Sequence, residues 1–98
     1  MIYVHTTTAS TASGSTSSTT LKVIGGLMRY LLVRANTDTT VFRTNLVNDS
    51  SVTELNYGFH TGELVDDKAS HPVAGEVTIN ITNASPDDIF RIIFKVEE

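Results

Sequence analysis

The side chains best suited to chemistry lie in one stretch, His60 to Ala74, reading HTGELVDDKASHPVA, where His60 and His71 flank Asp66 and Asp67. Imidazole and carboxylate are competent ligands for zinc and similar ions. No histidine pair stands at i, i+2 on a strand or i, i+4 on a helix, so a polar loop is the better reading and no metal is expected. Ser85-Pro86-Asp87-Asp88 gathers oxygen ligands but lacks the alternating spacing and closing glutamate of a calcium loop. It reads as a turn in which Ser85 caps, Pro86 sets φ, and the two aspartates accept backbone N–H bonds. Nucleophilic catalysis finds no cysteine and no Gly-x-Ser-x-Gly elbow, and Gly25-Gly26 lacks the rest of a phosphate-binding fingerprint. The adjacent carboxylates Asp66-Asp67 and Glu97-Glu98 imply no acid/base pair. No catalytic residue and no cofactor is expected, and the chain reads as a non-enzyme.

The elements that would position any site are strands. Gly26 to Gly58 reads as three strands in a row, joined at Asn36-Thr37-Asp38-Thr39 and at Asn48-Asp49-Ser50-Ser51, two clusters of turn-forming residues. The spacing predicts an antiparallel meander. In its first strand Leu27, Leu31, Val33 and Ala35 share one face with Arg29, and Met28, Tyr30 and Leu32 share the other with Arg34. Neither face is polar throughout, whereas a strand facing water on one side alternates cleanly. This strand therefore expects cover on both faces. Thr40 to Val47 places Phe42, Thr44 and Leu46 inward, and Val52 to Phe59 places Leu55, Tyr57 and Phe59 inward. A short edge strand is expected at Glu63-Leu64-Val65 within the irregular His60 to Ala74 stretch. Val77, Ile79 and Ile81 face the core from a strand opened by Gly75, and Phe90, Ile92, Phe94 and Val96 match them from Ile89 to Val96. Arg91 and Lys95 point to solvent, with Ile93 exposed between them.

No window carries the i, i+3, i+4, i+7 pattern of an amphipathic helix. About seven short strands with frequent turn signals predict an all-β fold, an antiparallel β-sandwich of jelly-roll or immunoglobulin-like type.

Ahead of these strands lies Thr6 to Thr20, drawn only from Thr, Ser, Ala and Gly, after a β-prone Ile2-Tyr3-Val4. Alone, such a segment buries too little apolar surface to offset its ordering entropy. Residues 1–20 are thus expected to form an extended arm, and residues 21–98 the β-sandwich domain. Small side chains and threonines suit a strand added to a neighbour's sheet edge. The alternative is an arm folded back on its own domain.

A core built from residues 21–98 of a 98-residue chain is small, and a domain of this size buries only about 60% of its unfolded surface. Without cysteine, oligomerisation is the favoured supplement. The net charge is −4 and the seven Lys and Arg residues are scattered, so a nucleic-acid partner is not expected. The N-terminus lacks the basic and apolar regions of a signal peptide, and no run approaches a spanning helix, so no membrane partner is expected and synthesis in the cytoplasm is. Three glycosylation sequons, at Asn48, Asn80 and Asn83, read as chance matches in a chain rich in Thr and Asn.

The Thr/Ser-rich arm, the two-sided first strand, the run VFRTNLVND and the closing ITNASPDDIFRIIFKVEE together resemble the small β-sandwich accessory proteins of tailed-phage virions. These include head decoration (cement) proteins and tail adaptors. The resemblance implies a virion protein without enzymatic activity that binds a capsid or tail lattice as a symmetric oligomer, often a trimer, with a terminal arm reaching a neighbour. The residues expected at interfaces are Ile2, Tyr3 and Val4, then Thr8, Thr11, Thr16 and Thr19 of the arm, then Met28, Tyr30, Leu32 and Ile93. A carbohydrate- or receptor-binding β-sandwich is the alternative, disfavoured by the absence of tryptophan and by aromatics placed mostly on core faces.

Overall fold

Strands form where β-branched residues alternate with polar ones, and the computed structural model, which describes residues 1–12 and 14–98, joins them into one antiparallel sheet of seven strands. These are β1 (Ile2–Ser10), β2 (Ser17–Ala35), β3 (Val41–Asn48), β4 (Thr53–Thr61), β5 (Glu63–Asp66), β6 (His71–Ser85) and β7 (Ile89–Glu97). A single 3-10 turn, Asp49–Ser51, separates β3 from β4. Among the described residues no helix is long and apolar enough to cross a membrane. The order is β1-β7-β2-β6-β3-β4, with β5 also paired to β2. The all-β expectation holds.

The sheet is organised by β2, which changes partners along its length. Ser17 to Met28 pair with β6, with a register break between Val23 and Gly26, and Leu27 to Ala35 pair with β7 on the other side, while β5 takes Leu31 to Arg34 on the side that β6 leaves. The break in the β6 ladder falls at Gly25 and Gly26, both at positive φ, where a Cβ on Gly26 would collide with the Glu97 carbonyl. Only glycine allows β7 to end so close to the bend.

Three expectations fail, each for a local reason. The first is the meander: β3 pairs with β4 and β6 but not with β2. The Thr37 to Thr40 turn leads the chain away, and β5 takes the vacated edge of β2. Its lead-in, Gly62, passes so near Asp38 that a Cβ would lie 2.6 Å from the Asp38 carbonyl oxygen. The second is the arm. Ile2 to Ser10 pairs with β7 of the same chain at every position, and Ser17 to Thr20 belongs to β2, so the boundary expected at residue 20 falls inside a strand. Stiff β-branched threonines and an apolar neighbour supply what composition alone did not. The third is the start of β6, which begins at His71 rather than Gly75. Pro72 is tolerated there because β3 reaches only Thr78 to Ser85, so one side of Pro72 has no ladder to complete.

Every strand contributes to one apolar cluster, from Ala9 of β1 and Val33 of β2 through Phe42, Leu64 and Ile79 to Phe94, with Leu55 and Tyr57 of β4 packed against it. Phe42 and Phe90 meet edge to face at 4.9 Å between centroids. Beside this cluster Asn48 is fully buried. Its amide donates to the Ala74 and Glu76 carbonyls at 2.7 Å each and accepts from the Ala74 N–H at 3.0 Å. It thereby satisfies the backbone around Gly75, which sits at φ +67° where β6 is irregular.

Candidate interaction surface

The His/Asp constellation of the sequence does not come together. His60 lies on β4 and His71 opens β6, and among the described residues no three His, Asp or Glu side chains are grouped to hold a metal ion. Asp66 is instead the acceptor of the Tyr57 hydroxyl at 2.9 Å, tying β4 to β5. Burial, reinforced by that hydrogen bond and the Asp66 charge, pushes the Tyr57 pKa well above the ordinary phenol value.

The Ser85 to Asp88 turn is a structural clamp. Asp87 accepts the Ser15 N–H at 2.8 Å. Asp88 accepts the Thr40 hydroxyl at 2.8 Å, the Ile89 N–H at 2.8 Å and the Thr37 N–H at 2.9 Å. Its backbone N–H donates to the Thr11 hydroxyl at 2.9 Å, and its carbonyl accepts the Thr11 N–H at 3.0 Å. Desolvation alone would raise the Asp88 pKa, but the hydrogen bonds from Thr40, Ile89 and Thr37 outweigh it and hold the carboxyl below its ordinary value.

The outward faces of the sheet differ along its length. Over β2 to β4 the outward side chains bond one another: Ser18 donates to Asn80 at 2.6 Å, Asn80 to Asn45 at 2.8 Å, and Thr20 meets Thr78 at 3.2 Å. A shallow depression of about 260 Å³ beside them is lined by Thr16, Arg43, Asn45, Asn56, Asn80 and Thr82. The nearest exposed aromatic, Phe59, has the Arg43 guanidinium 6.0 Å from its ring centre.

Over β1, β7, β2 and β5 the pairing builds cross-strand rows. Val4, Lys95 and Tyr30 form one, Thr6, Ile93, Leu32 and Val65 the next, and Thr8, Arg91, Arg34 and Glu63 the third. Ile2 and Val4 are 55% and 58% exposed, Val65 and Ile89 are exposed, and Tyr30, Leu32 and Ile93 are half-buried. Lys95 lies over the Tyr30 ring at 4.6 Å. β1 is also an edge of the sheet, paired among the described residues only with β7.

Of the expected interface residues, Ile2, Val4, Thr8, Tyr30, Leu32 and Ile93 gather on this face. The others do not. Met28 is fully buried because the β2–β7 register skips Arg29, a bulge that turns Met28 to the side of Leu31 and Val33. The extra residue, Arg29, is held by Glu97 at 2.9 Å. Thr11 is fully buried against Asp88. Tyr3 turns inward beside His5, Lys22 and Val23, Thr19 is half-buried, and Thr16 lies at the polar depression. Reasoning from the sequence missed Arg34, Arg91 and Val65 as members of this face. Cross-strand neighbours are invisible until the pairing is known. Comparison with known protein families, curated proteins and solved structures finds no match.

Proposed function

We propose that this chain is a non-enzymatic structural subunit that assembles with copies of itself through β1 and the apolar rows beside it. The role it fits is that of a virion accessory protein binding a phage capsid or tail lattice. The observation that carries the reading is the edge: nine residues, Ile2 to Ser10, with no charge, no proline and no bulge. Soluble proteins guard such edges with lysine, proline or irregularity, because bare N–H and C=O groups recruit another strand. The opposite edge, β4, carries Glu54 and a register shift near Gly58. Pairing β1 with a different edge of the next copy is a head-to-tail contact that closes into a ring such as a trimer. The exchange of β6 for β5 and β7 along β2 supports reading the sheet as a β-sandwich of jelly-roll or immunoglobulin-like type.

The test is the solution mass of the full chain by light scattering at micromolar concentration, beside Ile2→Lys/Val4→Lys. Both positions are exposed, so the variant keeps its fold. A trimer or larger ring for the parent and a folded monomer for the variant are expected. A parent that stays monomeric when the series is carried up to about 100 μM, where a micromolar Kd would leave little monomer, removes self-assembly from the reading.

A further inference from the structure

The row Thr8–Arg91–Arg34–Glu63 places two arginines directly opposite each other on adjacent strands. Directly opposed residues have Cβ atoms about 5 Å apart, and like charges there are destabilising. Their neighbours compensate them only in part. Arg34 forms a long ion pair with Glu63, its Nε 3.8 Å from the carboxylate and beyond hydrogen-bond reach, with the two side chains 60% and 45% exposed. Arg91 makes no ion pair or side-chain hydrogen bond with any described residue. Two other cations beside this face are engaged: Arg29 bonds Glu97 through Nε and Nη2 and Ser70 through Nη1, and Lys95 caps Tyr30.

Above the arginine pair lies a cleft of about 610 Å³, open to solvent and lined by Thr6 to Thr8, Arg34, Ala35, Asn36, Asp38, Ile89 and Arg91. Its volume falls in the range of small-molecule sites, and its lining joins an apolar wall at Ala35 and Ile89 to convergent polar groups. Guanidinium forks match the oxygens of carboxylate and phosphate, and the hydroxyls of Thr6 and Thr8 and the Asn36 amide add donors. A bound anion would turn the repulsion between Arg34 and Arg91 into shared attraction. We infer that this cleft is a binding site for the oxyanion group, carboxylate or phosphate, of a small molecule. The site does not rest on assembly through the β1 edge, although it shares Thr6 to Thr8 with that edge.

The experiment is a nitrogen–proton NMR titration of the full chain with sodium phosphate and, separately, sodium acetate, at constant ionic strength. Saturable shifts confined to Thr6–Thr8, Arg34–Asp38 and Ile89–Arg91 are expected with at least one anion, and which one responds identifies the group. Arg91→Gln should weaken the response at least tenfold, whereas Lys95→Gln, four residues along β7 and outside the cleft, should leave it unchanged. Thermal melts give a second reading that does not depend on the anion tested. Without anion, Arg91→Gln should melt above the parent because the repulsion is gone, and saturating anion should raise only the parent. No saturable shift with either salt overturns the inference. So does an Arg91→Gln variant that binds as the parent does, or one that melts below it without anion, since Arg91 would then be a structural residue.

Discussion

The outward side chains over β6 and β3 and those over β7 and β1 belong to one sheet, yet they treat their polar groups in opposite ways. On the first surface Ser18, Asn80 and Asn45 form a chain of hydrogen bonds, and Thr20 meets Thr78. On the second, Thr6 and Thr8 bond no described side chain, Ile2 and Val4 stand exposed, and Arg34 faces Arg91. A surface whose polar atoms already satisfy one another gains little from a partner, because new hydrogen bonds would only replace existing ones. A surface with exposed apolar area and like charge compensated only in part has free energy to gain by being covered. Binding is therefore to be sought on the β1, β7 side of β2.

The largest effect expected from this difference lies where the self-satisfied half goes deepest, at Asn48. Asn48→Ala removes three part-buried hydrogen bonds, two to the Ala74 and Glu76 carbonyls and one from the Ala74 N–H. At about 1 kcal/mol for each lost bond the variant should lose on the order of 3 kcal/mol, read as a shift in the urea midpoint. Phosphate or acetate binding at the arginine cleft should be unaffected in the fraction that remains folded. A loss below about 1 kcal/mol would mean that water replaces the amide, and the first half would be less self-sufficient than its contacts indicate.

Asp88 tests the corner where the two halves meet, since it joins Thr11, Thr37, Thr40 and Ile89. Its pKa is lowered in the folded chain, so the carboxylate contributes stability that is fully present above the unfolded value. That contribution is lost as the pH falls through the ordinary carboxylate range towards the folded value. The parent should therefore melt progressively lower from about pH 5 to pH 2. Asp88→Asn should be less stable than the parent at neutral pH and show a flatter profile in acid. Parallel profiles would place the acid sensitivity at other carboxylates.

How far the sequence disclosed this arrangement depends on what each feature needs. Strand identity and core faces need only alternation: Phe42 and Leu46, Val77 to Ile81, and Phe90 to Val96 are buried as their spacing predicts. Wherever a bulge inserts a residue, that parity inverts. Met28 goes inward after the skip at Arg29, and Phe59 turns 60% exposed after the register shift between Asn56 and Gly58. Partner choice was not legible either. The turn at Asn36 to Thr39 was recognisable, but nothing local says that the strand after it will join β6 instead of β2. The Thr-rich start misled for a related reason: low apolar content argues against autonomous order, and β1 takes its order from β7. The arginine cleft depends on all of these at once, because Arg34 and Arg91 lie far apart in sequence and meet only through the β2–β7 register.

The smallest prediction isolates the comparison most cleanly, by making one substitution on each surface. Thr20 and Thr6 are both exposed strand threonines, and valine keeps the branched shape that suits a strand. Thr20→Val breaks the 3.2 Å contact with Thr78, whereas Thr6→Val breaks no side-chain hydrogen bond to a described residue. Cross-strand hydroxyl pairs contribute about 0.2 to 1 kcal/mol, so Thr20→Val should cost about 0.5 kcal/mol, and Thr6→Val should be neutral. The apolar methyl added at Thr6 extends the Ile93, Leu32 and Val65 row, so self-association of Thr6→Val should strengthen while that of Thr20→Val stays at the parental value. Equal costs with unchanged association would erase the distinction between the surfaces. A cost at Thr20 alone, with tighter association at Thr6 alone, would tie both properties to the same cause: on one surface the hydroxyls are already paired, and on the other the side chains still have a partner to gain.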